Sequence, residues 1–176
     1  MKSARNSRQA PVRSSRQSSA RWLAPFALGL GLCVTCCERA EAEGAKPARA
    51  AANPWEWQDQ FGYSQANSVQ EPKRVVYLSG QAAFDQNGTL QHAGDMAQQI
   101  KLSFDNVEQV LEAAGMSLDN VTRLTYYTTN VEELLANWSE VSARVTVAQP
   151  PPAITVLGVT KLAQDALVEI EATAVE

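Results

Sequence analysis

From Asp95 onward, Met96, Ile100, Phe104, Val107, Leu111 and Ala114 recur at spacings of four, four, three, four and three. That spacing puts them on one face of an α-helix, and Gly115 supplies the usual C-terminal stop. A second helical pattern opens at Asn130, with Glu133 three residues later in a capping-box-like position. Leu134, Trp138, Val141 and Val145 form its apolar stripe, and the prolines at 150–152 end it. Elsewhere the pattern is that of strands. "RVVYLSGQAAF" (74–84) runs into Asp85–Gly88, where Asn87-Gly88 signals a tight hairpin turn. "VTRLTYYTT" (121–129) and the proline-led "AITVLGVT" (153–160) are rich in β-branched and aromatic residues. In "ALVEIEATAV" (166–175), Ala166, Val168, Ile170, Ala172 and Ala174 share one face, and Glu169 and Glu171 share the other.

The predicted order is β-β-α-β-α-β-β, an α+β fold. Each helix separates strands, and a βαβ crossover delivers parallel neighbours in one sheet. The simplest architecture is a single sheet with both helices on one face. The opposite face carries Glu169, Glu171 and apolar positions of the proline-led strand. It must be wet or covered by another subunit, and a symmetric oligomer is expected.

Charge divides the chain unevenly. Residues 1–42 hold seven basic and two acidic residues, a balance of +5, whereas 43–176 hold eight basic and seventeen acidic, a balance of −9. The basic segment leads into "WLAPFALGLGLCVTCC" (22–37), sixteen uncharged residues, short of the roughly 20 that span a bilayer. With Ala40-Glu41-Ala42 behind it, the stretch reads as a cleavable secretory signal peptide over 1–42. An organelle transit peptide, or lipid attachment at Cys33, Cys36 or Cys37, would use the same features. The expected location is therefore exported, periplasmic or secreted, without stable membrane insertion after cleavage. All three cysteines lie in this leader, so the remaining domain has no disulfide or thiol chemistry. Residues 43–56, Ala- and Pro-rich at first, read as a linker, and 57–176 as the domain.

Several chemistries are poorly supported. His92 is the only histidine, which argues against a histidine metal cluster or a Ser-His-Asp triad; beside a turn, it reads as a loop residue. No phosphate-cradling glycine loop is present. An acidic domain without a basic stripe gives nucleic-acid binding little electrostatic support, and the tryptophans and tyrosines are scattered rather than set out as a stacking platform. What remains is a carboxylate-and-tyrosine set. Glu169 and Glu171 lie about 7 Å apart at strand rise. Such a pair can support acid/base work if buried, or be the solvated face of an edge strand. Tyr63 in "GYSQA" fits either catalysis or packing.

"FGYSQA" (61–66), "LSGQ" (78–81), "FDNVEQVLEAAG" (104–115), Asn137 and "VEIEATAV" (168–175), in that order, resemble the RidA (YjgF/YER057c/UK114) family across roughly residues 57–176. The resemblance implies a chorismate-mutase-like fold and a homotrimer whose sheets form a central barrel. It further implies small-molecule clefts between subunits, with no metal or organic cofactor. The family's best-known reaction is hydrolysis of 2-aminoacrylate or 2-iminobutanoate to a 2-oxo acid and ammonia. By the same resemblance, Tyr63 stands at the cleft mouth and Ser79 and Gly80 in the cleft turn. Asn137 lies near the cleft, and Glu169 positions the attacking water. The loop between Tyr63 and Ser79 is about three residues longer than in typical members.

One departure bears on activity. Deaminating members read Pro-Ala-Arg where this chain reads Pro152-Ala153-Ile154. The arginine would grip a substrate carboxylate through two parallel hydrogen bonds; isoleucine offers neither donor nor charge. Lys161, roughly 23 Å further along an extended strand, is too distant to replace it. The expected function is accordingly small-metabolite binding without imine deaminase activity, with deamination as the alternative. A ribonuclease role, attached to some family names, is the weakest candidate for so acidic a domain.

Overall fold

The computed structural model describes residues 48–176; the leader assigned to 1–42 lies outside them. Its main body is a four-stranded sheet of β3 (Val75–Ala82), β4 (Val121–Thr128), β5 (Ala153–Gly158) and β6 (Val168–Val175), in the order β3-β6-β4-β5. The last strand lies between the first two, antiparallel to both, and β5 runs parallel to β4 at the edge. Three helices complete the body: α1 (Met96–Ala113), α2 (Val131–Ala136) and α3 (Trp138–Val145).

Helix α1 follows its apolar spacing. Met96, Ile100, Phe104, Val107 and Leu111 are all buried against the sheet. The Asp95 side chain accepts the Gln98 N–H at its start. At its end Gly115 adopts a left-handed φ of 72°, while Met116 N–H donates to Leu111 O and Gly115 N–H to Glu112 O, a Schellman closure. The opposing face comes from alternation in the strands. Leu124, Ala172 and Ile154 share one rung across three strands, and Tyr126, Ile170 and Val156 the next. These rungs carry the core, in which Phe104, Tyr126, Leu134 and Ile170 have no solvent exposure.

Four features differ from the sequence reading. The hairpin after β3 is a single antiparallel bridge, Phe84 to Leu90, closed by Gly88 at φ 74°; Asp85 is engaged in capping its own turn, accepting from the Asn87 and Thr89 N–H groups. The second helix breaks at Asn137, whose side-chain amide donates to Glu133 O alongside its own backbone N–H. Residues 49–51, inside the segment read as linker, form β1 (Arg49–Ala51), antiparallel to β2 (Asn67–Val69). Arg49 fastens this ribbon by donating to Val121 O at 2.8 Å and Pro150 O at 3.1 Å, long-range bonds that no local pattern announces. The fourth is Gln99, on the core side of α1 and fully buried; it donates to His92 O and accepts from Leu167 N–H, so its amide is paired at both ends.

The face away from the helices carries Val75, Tyr77, Arg123, Leu157 and Glu171, with Tyr77 79% exposed. Among the described residues no helix is long and apolar enough to cross a membrane.

Candidate functional site

The predicted site residues fall into two groups on opposite sides of the sheet. Glu169 alternates with the buried Val168 and Ile170, and so projects onto the helix-free face. Its carboxylate lies over Gly80: a Cβ added there would sit 1.8 Å from Glu169 Oε1. Ser79 and Gly80 occupy an irregularity in β3, where the register with β6 shifts between Leu78 and Gln81. Glycine at 80 is what lets the carboxylate approach the backbone. An open groove of about 610 Å³ begins at Gly80 and runs past Asp85 and Asn106. Glu171, two residues on, accepts a hydrogen bond from Tyr127 OH at 2.9 Å. That bond, more than any other influence, raises the Tyr127 phenol above its ordinary range.

Tyr63 and Ile154 lie on the other side. Ile154 and Val156 are half-buried at the β5 edge and, with Trp57, Phe61, Tyr63, Leu135 and Trp138, line a pocket of about 290 Å³. The local chain path explains this meeting. Ser64 N–H donates to Pro152 O, and Ser64 bridges Ala153 in parallel, so the segment after Tyr63 runs beside β5. Trp138, first residue of α3, donates its indole N–H to Phe61 O at 3.0 Å and packs edge-on against Tyr126 at 5.9 Å. Trp57 meets Tyr63 edge-on, with centroids 6.2 Å apart, and Phe61 lies tilted at 6.5 Å.

The aromatic side chains, scattered in sequence, are therefore partly gathered. "WEWQDQFGY" (55–63) holds four of them within nine residues. That density was the available signal, and it needed β5 and α3 to close the pocket. Asn137 does not line it; its amide is held by Glu133 O at the helix break, one residue before Trp138. His92 is an exposed loop residue in left-handed conformation, φ 53°.

No cation stands in for the missing arginine among the residues lining the pocket. Arg74 pairs with Glu176, Arg144 with Asp105 and Glu108, and Lys161 with Asp165. Arg123 is on the opposite face, in register with Ala153 and Thr173. Among the described residues no group of three or more His, Cys, Asp or Glu side chains converges as a metal site would require.

Residues 58–176 match the family model described as Endoribonuclease L-PSP. The chain is 34% identical over 89 residues to the RutC family protein YjgH of Escherichia coli (strain K12), covering 51% of this chain and 66% of that one. It is 30% identical over 129 residues to the 2-iminobutanoate/2-iminopropanoate deaminase of Dermatophagoides farinae, covering 73% of this chain and 97% of that one. Among solved structures it is similar to YyfB of Yersinia pestis, a Rid-family protein of unknown function. That match has a TM-score of 0.66 at 33% identity, over 73% of this chain and 98% of the other. With the strand order and motif positions described above, these likenesses make the chain a member of the RidA family.

Proposed function

We propose that the protein is exported and binds a small metabolite in clefts between copies of a homotrimer, without imine deaminase activity. The observation that carries this reading is Ile154. It stands where deaminating relatives have arginine, in a wall lined only by apolar and aromatic side chains. A carboxylate brought there would lose hydration without gaining a charged hydrogen-bond partner. The opposed placement of Glu169 and Ile154 supports the intersubunit cleft. Rungs Leu124–Ile154 and Leu124–Ala172 put Ile154 on the core side, while Glu169, odd in step with Ala172, is on the other. A site uniting Glu169 and Gly80 with Tyr63 thus takes one half from each of two copies.

The competing reading is hydrolysis of 2-imino acids, with Glu169 positioning water and Tyr63 closing the site. Its support is the carboxylate held over Gly80 and the name carried by the mite relative. Titration with 2-oxobutanoate, the product such a deaminase releases, separates the two. The purified protein should show no saturable rise in melting temperature; a clear, saturable rise would contradict the non-deaminating reading.

A further inference from the structure

We propose that Arg49 is a positioning residue for the half of the cleft that carries Tyr63 and Ile154. It ties the N-terminal ribbon to the entries of β4 and β5, and so sets where those two side chains stand. The inference goes beyond the proposed function and applies equally whether the cleft deaminates or only binds.

The proline triplet supplies the reason. Pro150, Pro151 and Pro152 have no N–H to donate, so backbone hydrogen bonds can fasten this lead into β5 only through its carbonyls. Each carbonyl accepts from the N-terminal segment. Pro150 O takes the Arg49 guanidinium at 3.1 Å, Pro151 O takes Asn67 Nδ2 at 2.9 Å, and Pro152 O takes the Ser64 N–H at 3.0 Å. Tyr63 directly precedes Ser64, and Ile154 follows Pro152 by two residues, so the last bond fixes the spacing of the two cleft side chains. Arg49 adds a second direction. It also donates to Asp119 O and Val121 O, just before and at the start of β4. One planar fork of donors thus spans the entries of two neighbouring parallel strands. The ribbon carries the restraint from Arg49 towards Tyr63. Ala51 stands opposite Asn67, Ala52 N–H donates to Ala66 O, and Gln65 N–H donates to Asn53 Oδ1. In a cleft completed by Glu169 and Gly80 of another copy, displacing this half by about 1 Å changes a rate by about 10²-fold.

Arg49→Lys keeps the charge but loses the fork. In amide hydrogen exchange it should speed Ser64, whose bond is to Pro152 rather than to Arg49, by at least about tenfold, and leave the core amide of Ile170 unchanged. Asn67→Ala, which cuts one link only, should give the same pattern. In an Ile154→Arg background, Arg49→Lys should lower kcat/KM for 2-iminobutanoate at least about tenfold. Faster exchange confined to the ribbon amides of Ala52 and Gln70 would overturn the proposal. So would a uniform rise that includes Ile170, the mark of a merely stabilising residue, or an unchanged kcat/KM. An Ile154→Arg protein without activity would contradict the account of Ile154 alone, and the exchange pattern then decides the role of Arg49.

Discussion

Gly80 offers a test of the carboxylate half of the site with a change of sign. A Cβ at this position would lie 1.8 Å from Glu169 Oε1, 2.6 Å from Cδ and 2.8 Å from Cγ. Overpacking at such contacts costs about 1–3 kcal/mol. Because the carboxylate end of a half-exposed glutamate can swing aside, the lower half of that range applies. Against it, alanine restricts the unfolded chain and gains about 0.5–1 kcal/mol over glycine in an extended segment. Gly80→Ala should therefore destabilise by about 0–1.5 kcal/mol when Glu169 is present. In a Glu169→Ala background the obstruction is gone, and the same substitution should stabilise by about 0.5–1 kcal/mol. The coupling is then about 1–2 kcal/mol, well above the scatter of independent sites. Urea denaturation of the four proteins of the cycle measures it. Coupling below about 0.3 kcal/mol would refute the placement of the carboxylate over Gly80.

Two further substitutions test the core beneath the pocket. Tyr126 is fully buried, and its hydroxyl has no hydrogen-bond partner among the described residues. Tyr126→Phe should thus leave stability unchanged or raise it by about 1 kcal/mol; a loss of that size in chemical denaturation would show that the hydroxyl is paired. Burial also holds the Tyr126 phenol well above its ordinary 10.0 in the folded state. Its contribution is therefore intact below about pH 10 and lost as pH rises beyond it, because unfolding releases a proton there. Stability measured across alkaline pH should fall less steeply in the phenylalanine variant. Trp138→Phe removes the indole donor to Phe61 O and should cost about 0.5–1.5 kcal/mol, lowering the melting temperature by about 2–7 °C for a domain of this size. An unchanged melting temperature would mean that this bond does not hold the pocket wall.

Much of the helix and strand content was legible because local periodicity decided it. Six apolar positions from Met96 to Ala114 define α1, and the strict alternation of 166–175 sets both faces of β6. What escaped depends on contacts distant in sequence. Nothing in the β6 pattern says that it slots between β3 and β4. Nothing in an Ala- and Pro-rich stretch says that Arg49 will bind carbonyls about 70 and 100 residues away. The helix break falls at Asn137, whose side chain bonds back to Glu133 O, and an apolar stripe running through the break concealed it. The site was legible in the same uneven way. Glu169, Gly80, Tyr63 and Ile154 were singled out through family likeness, yet only the sheet register showed that they lie in two groups on opposite faces. Trp57, Phe61, Leu135 and Trp138 were missed as a group, because their meeting requires the segment after Tyr63 to lie beside β5.

The central claim is that Ile154 withholds the carboxylate anchor from an otherwise retained site. Ammonia release from 2-iminobutanoate generated in situ, compared between the unaltered protein and Ile154→Arg, tests it most directly. The account predicts no rate above buffer for the unaltered protein and a saturable rate in the arginine variant. Saturable release by the unaltered protein would contradict it.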